Sequence, residues 1–152
     1  MLGSIVSADD LADLRAKRAQ LARRPHRVIF DNDGMDAQFV ETATPDALLD
    51  VRTRQLTKTG VTTVFYCSRS SGLGVFTHDT KVGEVYDSRG GRYKNNITRR
   101  LIQQGTDPVR VVTDFCRSND LEIFWTMRVN DCHDAIHRED KPYPAFSKLK
   151  EA

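Results

Sequence analysis

Three short apolar runs, each followed at once by polar residues, constrain this chain more than any other feature. Val28-Ile29-Phe30 gives way to Asp31, Asn32, Asp33 and Gly34, and Val61 to Cys67 gives way to Ser68. Leu121 to Met127 gives way to Arg128 and a cluster reaching Asp134. Each run is rich in β-branched or aromatic residues and too short for a helix, so each predicts a strand. The segments between them carry helix signals. Thr44-Pro45-Asp46 offers a capping hydroxyl, a proline at the first helical position and an acid in the first turn, predicting a helix to about Thr59 that Gly60 stops. A further helix is expected around Asn96 to Gln104, ended by Gly105, and Asp107-Pro108 begins another that reaches Ser118. Ser68 to about Lys94, with five glycines, reads as one long loop, either functional or partly disordered.

Upstream, Ser7 to Asp10 is a capping-box variant, with Val6 and Leu11 placed to form a hydrophobic staple. Leu11, Leu14, Leu21 and Ala22 recur near helical spacing, and Arg23-Arg24-Pro25 ends the run. Residues 1–26 thus predict a leading helix, and 27–152 a separate α/β region. Strands alternating with helices predict a parallel sheet with right-handed crossovers. In such sheets ligand chemistry gathers at the carboxyl ends of the strands, where all three polar clusters fall.

Composition narrows the function classes. A net charge of +2 over 152 residues gives no basic surplus of the kind that nucleic-acid binding needs. No apolar run is long enough to span a bilayer, and the first residues lack the basic and apolar regions of a signal peptide. The compartment stays unknown on these grounds. Cys67, Cys116 and Cys132 are odd in number and widely spaced, which predicts free thiols rather than a disulfide framework.

Several local chemistries are open to these residues. An apolar strand followed by Asp31-Asn32-Asp33-Gly34 is similar to the first motif of haloacid-dehalogenase-like hydrolases. That resemblance implies Asp31 as nucleophile, Asp33 as general acid/base and Mg²⁺ at the phosphate. Met35 departs from the usual Thr or Val after the glycine, and no Lys stands at a later strand end. Asp31, Asp33 and Asp36 are spaced only loosely like a calcium loop, with Gly34 too early and Thr42 where a Glu is required. His133 and His137 have the i, i+4 spacing of a zinc pair but lack the intervening Glu. The glycines Gly72 and Gly74 lack the Lys of a phosphate loop, and Arg89 to Lys94 reads as a solvated basic loop.

Over nearly its whole length the chain resembles glycoside hydrolase-like TIM-barrel proteins of the "glycosyl hydrolase-like ten" type. The matching stretches are Arg23 to Asp36, Thr44 to Cys67, Phe76 to Tyr86 and Asp107 to Ala135. Asn32, Asp33 and Gly34 fit the family's Asn-Asn-Asp-Gly, whereas Asp31 replaces its first Asn and Cys132 stands where Thr is common. The resemblance implies the first three strand-helix units of a (β/α)8 barrel, a carbohydrate ligand and no cofactor. It points to Asn32, Asp33, His78, Arg128, Asn130, Asp131, His133 and Asp134 as substrate-binding residues. Strand alternation puts Thr126, Arg128 and Asn130 on one face, the mouth side. Tyr66 and Trp125 are expected in the core, and a rim salt bridge from Arg128 to Asp33 or Asp131 is the structural alternative. No pair of catalytic carboxylates is assigned, since in many such barrels these acids lie on later strands. Three strands do not close a barrel. The chain is therefore expected to be the amino-terminal part of a longer protein, inactive alone, with an open sheet edge prone to self-association. A non-catalytic carbohydrate-binding fragment is the remaining reading.

Overall fold

The computed structural model describes residues 8–23, 28–68, 74–87, 94–129 and 132–141. The expected Ser7 cap, its Val6 staple and the Arg24-Pro25 stop lie outside these residues.

Three parallel strands form the centre. They are β1 (Ile29–Asn32), β2 (Thr63–Cys67) and, after the smaller elements described below, β5 (Glu122–Thr126), in the sheet order β1-β2-β5. The register pairs Asn32 with Tyr66, Tyr66 with Trp125 and Cys67 with Thr126. Period-2 alternation divides the side chains cleanly. Phe30, Val64, Tyr66 and Ile123 pack into the core on one face, whereas Asp31, Phe65, Phe124 and Thr126 lie on the other.

Among the described residues four helices accompany the sheet: α1 (Ala8–Ala22), α2 (Pro45–Asp50), α3 (Thr98–Gln103) and α4 (Pro108–Ser118). The two proline starts behave as the sequence predicts. Thr44 Oγ1 accepts the Ala47 N–H at 3.2 Å, and an Asp107 carboxylate oxygen accepts the Arg110 N–H at 2.8 Å. Leu48, Leu101, Val112 and Cys116 are fully buried and close the core against Val64 and Tyr66. Each such leucine contributes about 2 kcal/mol of transfer free energy.

The helix expected from Thr44 to Thr59 stops early. After α2 the chain turns and tightens into a 3₁₀ segment, Arg54–Lys58. Two threonine hydroxyls compete for the backbone there: Thr57 Oγ1 donates to the Arg54 carbonyl and Thr59 Oγ1 to the Leu56 carbonyl. The segment expected to be one loop holds two short parallel strands, β3 (Val75–Phe76) and β4 (Glu84–Val85). Val75 and Tyr86 form a small second core there, capped by Met35, and Tyr86 donates its hydroxyl hydrogen to Gln38 Oε1 at 2.8 Å.

The leading helix lies along the β5 edge with most of its surface in solvent. Lys17 pairs with Asp120 at 3.0 Å and the Arg18 guanidinium sits 4.7 Å over the Phe124 ring. Leu11 and Leu14 stay exposed, so the apolar stripe read from the sequence is only partly covered. The fold is mixed α/β with parallel strands in open sheets, and the described residues do not close a barrel.

Candidate functional site

The site grows from the corner after β1. Asn32 has no solvent exposure. Its side chain lies on the helix-covered face with Tyr66, and both halves of its amide are used internally. Nδ2 donates to Asp36 at 2.8 Å, and Oδ1 accepts the Gly34 N–H at 2.9 Å. Gly34 has φ +73°, and a Cβ there would lie 2.0 Å from the Cys67 carbonyl oxygen. Only glycine lets the corner press on the end of β2 in this way.

Arg52, just beyond α2, fixes the two acids of the corner. Its Nη2 donates to Asp33 at 2.6 Å and its Nε to Asp36. Asp36 has no exposure. Burial raises its carboxyl above the ordinary value, against the lowering by the Asn32 amide and the Arg52 charge. Burial pulls the Arg52 guanidinium down, but the two carboxylates outweigh it and hold the group even more firmly charged. The Tyr66 hydroxyl is buried beside this group without a hydrogen-bond partner among the described residues. Desolvation, and then the Asp36 charge, push it well above its usual range, so it stays a neutral phenol.

On the opposite face of the sheet the strand ends form a small cleft of about 200 Å³, lined by Asp31, Asp33, Phe65, Thr126 and Arg128. Phe65 and Phe124 meet edge to face at 5.3 Å across β2 and β5 on the same side of the sheet. An exposed acid, an acid tied to Arg52, a hydroxyl and a guanidinium thus surround an aromatic surface. Such a set supplies hydrogen-bond donors and acceptors for hydroxyls.

The structure sorts the sequence-predicted residues accordingly. Asp33 and Arg128 share the cleft. Asn32 does not reach it: the amide read as a ligand contact is a buried brace. His78 does not reach it either, because it packs edge-on against Phe76 at 5.3 Å and lines a different cavity with Trp125. Asn130 and Asp131 lie outside the described residues, and His133 and Asp134 open a 3₁₀ turn, His133–Ile136. Trp125, expected in the core, is 64% exposed, while Tyr66 is buried as expected. Asp33 takes its ion pair from Arg52, a partner that the sequence reading did not name. In the phosphatase reading Asp33 would have to leave that pair to move a proton.

Among the described residues no group of three or more His, Cys, Asp or Glu is placed to hold a metal ion. No helix among them is long and apolar enough to cross a membrane. No protein-family model, curated protein or solved structure matches this chain.

Proposed function

We propose that the cleft between β1 and β5 positions a saccharide, and that the chain is the ligand-positioning part of a glycoside hydrolase-like barrel mouth. The observation that carries this reading is the convergence of Asp31, Asp33, Thr126 and Arg128 over Phe65 at the carboxyl ends of parallel strands. Arg128 and Thr126 donate to sugar oxygens, Asp31 accepts from sugar hydroxyls, and Phe65 faces the apolar side of a ring. Asp33, held by Arg52, has a fixed position from which to accept one more hydrogen bond. The residues that would break a glycosidic bond are not among these. The role is binding and orientation.

Calorimetric titration with uronic-acid oligosaccharides, whose carboxylate suits the Arg128 guanidinium, tests the reading. Binding without turnover by the chain, lost in Arg128→Ala, is the expected result. Unchanged binding in Arg128→Ala places the ligand elsewhere.

A further inference from the structure

A second cavity lies on the other side of the sheet, between β5 and α4. Its volume is about 320 Å³, within the range of small-ligand sites. Its wall is Trp125, the only tryptophan of the chain, together with His78 and a stripe of α4.

The indole is exposed yet held. Its Nε1–H donates to Thr113 Oγ1 at 3.0 Å, while the Thr113 hydroxyl donates to the Val109 carbonyl at 2.7 Å. The hydroxyl proton is thereby used, and its lone pair is turned to the indole. A rigid, solvent-facing aromatic plate results. His78 adds a buried Nδ1 with no hydrogen-bond partner among the described residues.

The α4 side of the cavity is polar, which does not suit an apolar helix as its cover. Arg110, Asp114 and Arg117 are all exposed there. Two arginines face two aspartates, Asp107 and Asp114, so the wall has no net charge with which to recruit an ion. Asp107 already accepts the Arg110 and Asp79 N–H groups, at 2.8 and 3.5 Å.

We infer that this cavity is a second carbohydrate subsite, with a neutral sugar ring stacked on Trp125. The C–H face of a pyranose matches the indole plate. Its hydroxyls both donate and accept, so they satisfy Asp114 and the arginines. This subsite lies on the opposite face from the Arg128 cleft and does not depend on it.

The single tryptophan makes the test direct. Trp125 emission is followed while neutral oligosaccharides of glucose, mannose, galactose, xylose and N-acetylglucosamine are titrated, with inorganic phosphate as the anion probe. At least one sugar is expected to shift the emission saturably, and phosphate is not. By calorimetry Trp125→Ala is expected to weaken that sugar at least about tenfold and Trp125→Phe to retain most of it, while the saturable Trp125 emission shift itself is expected to persist in Arg128→Ala. No response to any sugar overturns the proposal, as does an equal response to phosphate. A concentration-dependent shift without sugar, with a doubled mass, overturns it in favour of a second copy on this face. Loss of all binding in Arg128→Ala alone overturns it while leaving the mouth reading intact. Loss in Trp125→Ala alone does the reverse.

Discussion

Arg52 closes on Asp36, a carboxylate with no contact to water, and in the same fork holds Asp33 at the rim of the cleft. One guanidinium therefore links the buried corner of β1 to the proposed ligand site. Replacing Arg52 by Ala leaves a buried, uncompensated charge, which costs more than the pair itself is worth. With its side chain about one-third exposed, the expected loss is about 2–4 kcal/mol in chemical denaturation. Arg52→Lys keeps the charge but not the fork and is expected to recover about half of that loss. Equal stability of wild type and Arg52→Ala would show that water already satisfies Asp36.

Asp36 also sets a pH dependence of unusual sign. Its folded carboxyl is raised above the ordinary value of 3.8. Between that value and the raised one, the folded state binds more protons than the unfolded chain. Unfolding free energy therefore falls as pH rises through this interval, and the contribution is fully present only below it. Asp36→Asn removes the titration, so the stability difference between wild type and variant is expected to shrink as pH rises from about 4. Urea unfolding of both proteins across that range reads the slope, and a difference that is flat or grows with pH contradicts the assignment.

Two glycines with positive φ separate close approach from mere turn geometry. Gly34→Ala drives a Cβ to 2.0 Å from the Cys67 carbonyl oxygen, whereas Gly105, at φ +83°, has open space around it. Gly105→Ala is expected to cost about 1 kcal/mol, the left-handed penalty alone. Gly34→Ala is expected to cost at least about 3 kcal/mol or to abolish folding, since backbone must move. Thermal melts of the two variants rank them, and similar melting shifts would deny the corner its tight contact with β2.

The thiols offer a check on burial. Cys132 is exposed, Cys67 and Cys116 are buried, and desolvation pushes the Cys116 thiol up to about 12. An aromatic disulfide reagent at neutral pH is expected to modify one thiol quickly and two only on unfolding. Fast loss of all three thiols in the folded protein rules out this packing.

Local signals account for what the sequence foretold. Thr44-Pro45 and Asp107-Pro108 each put a capping side chain beside a proline at the first helical position, and both mark helix starts to the residue. Runs of Val, Thr and aromatic residues located all three strands of the central sheet because burial demands a sustained pattern. β3 and β4 span two residues each, too few for any period to show. The Arg52 fork joins residues 19 apart along the chain, and nothing near Asp33 announces it. Asn32 misled for a subtler reason. Its position at a strand end suited a ligand contact, but alternation, set by its pairing with Tyr66, turns it to the covered face. Trp125 misled the other way: a large aromatic in a strand reads as core, whereas the polar stripe of α4 leaves it in solvent.

The same brace explains why an amide stands between two acids in Asp31-Asn32-Asp33. Asn32 must donate to Asp36 and accept from the Gly34 N–H at once, and an amide does both from separate atoms, whereas a carboxylate only accepts. Asn32→Asp keeps the acceptor, loses the donor and sets a second carboxylate 2.8 Å from a buried one. Two such carboxylates do not both ionise without a large cost, so one must take up a proton on folding. At neutral pH the variant is expected to lose about 3 kcal/mol or more. On acidification a shared proton replaces the missing amide hydrogen, so the gap to wild type should narrow steadily towards pH 4. Asn32→Leu has neither donor nor charge, and its deficit should stay nearly constant over the same range. Parallel pH profiles for Asn32→Asp and Asn32→Leu would mean that the side chain at 32 fills space and braces nothing.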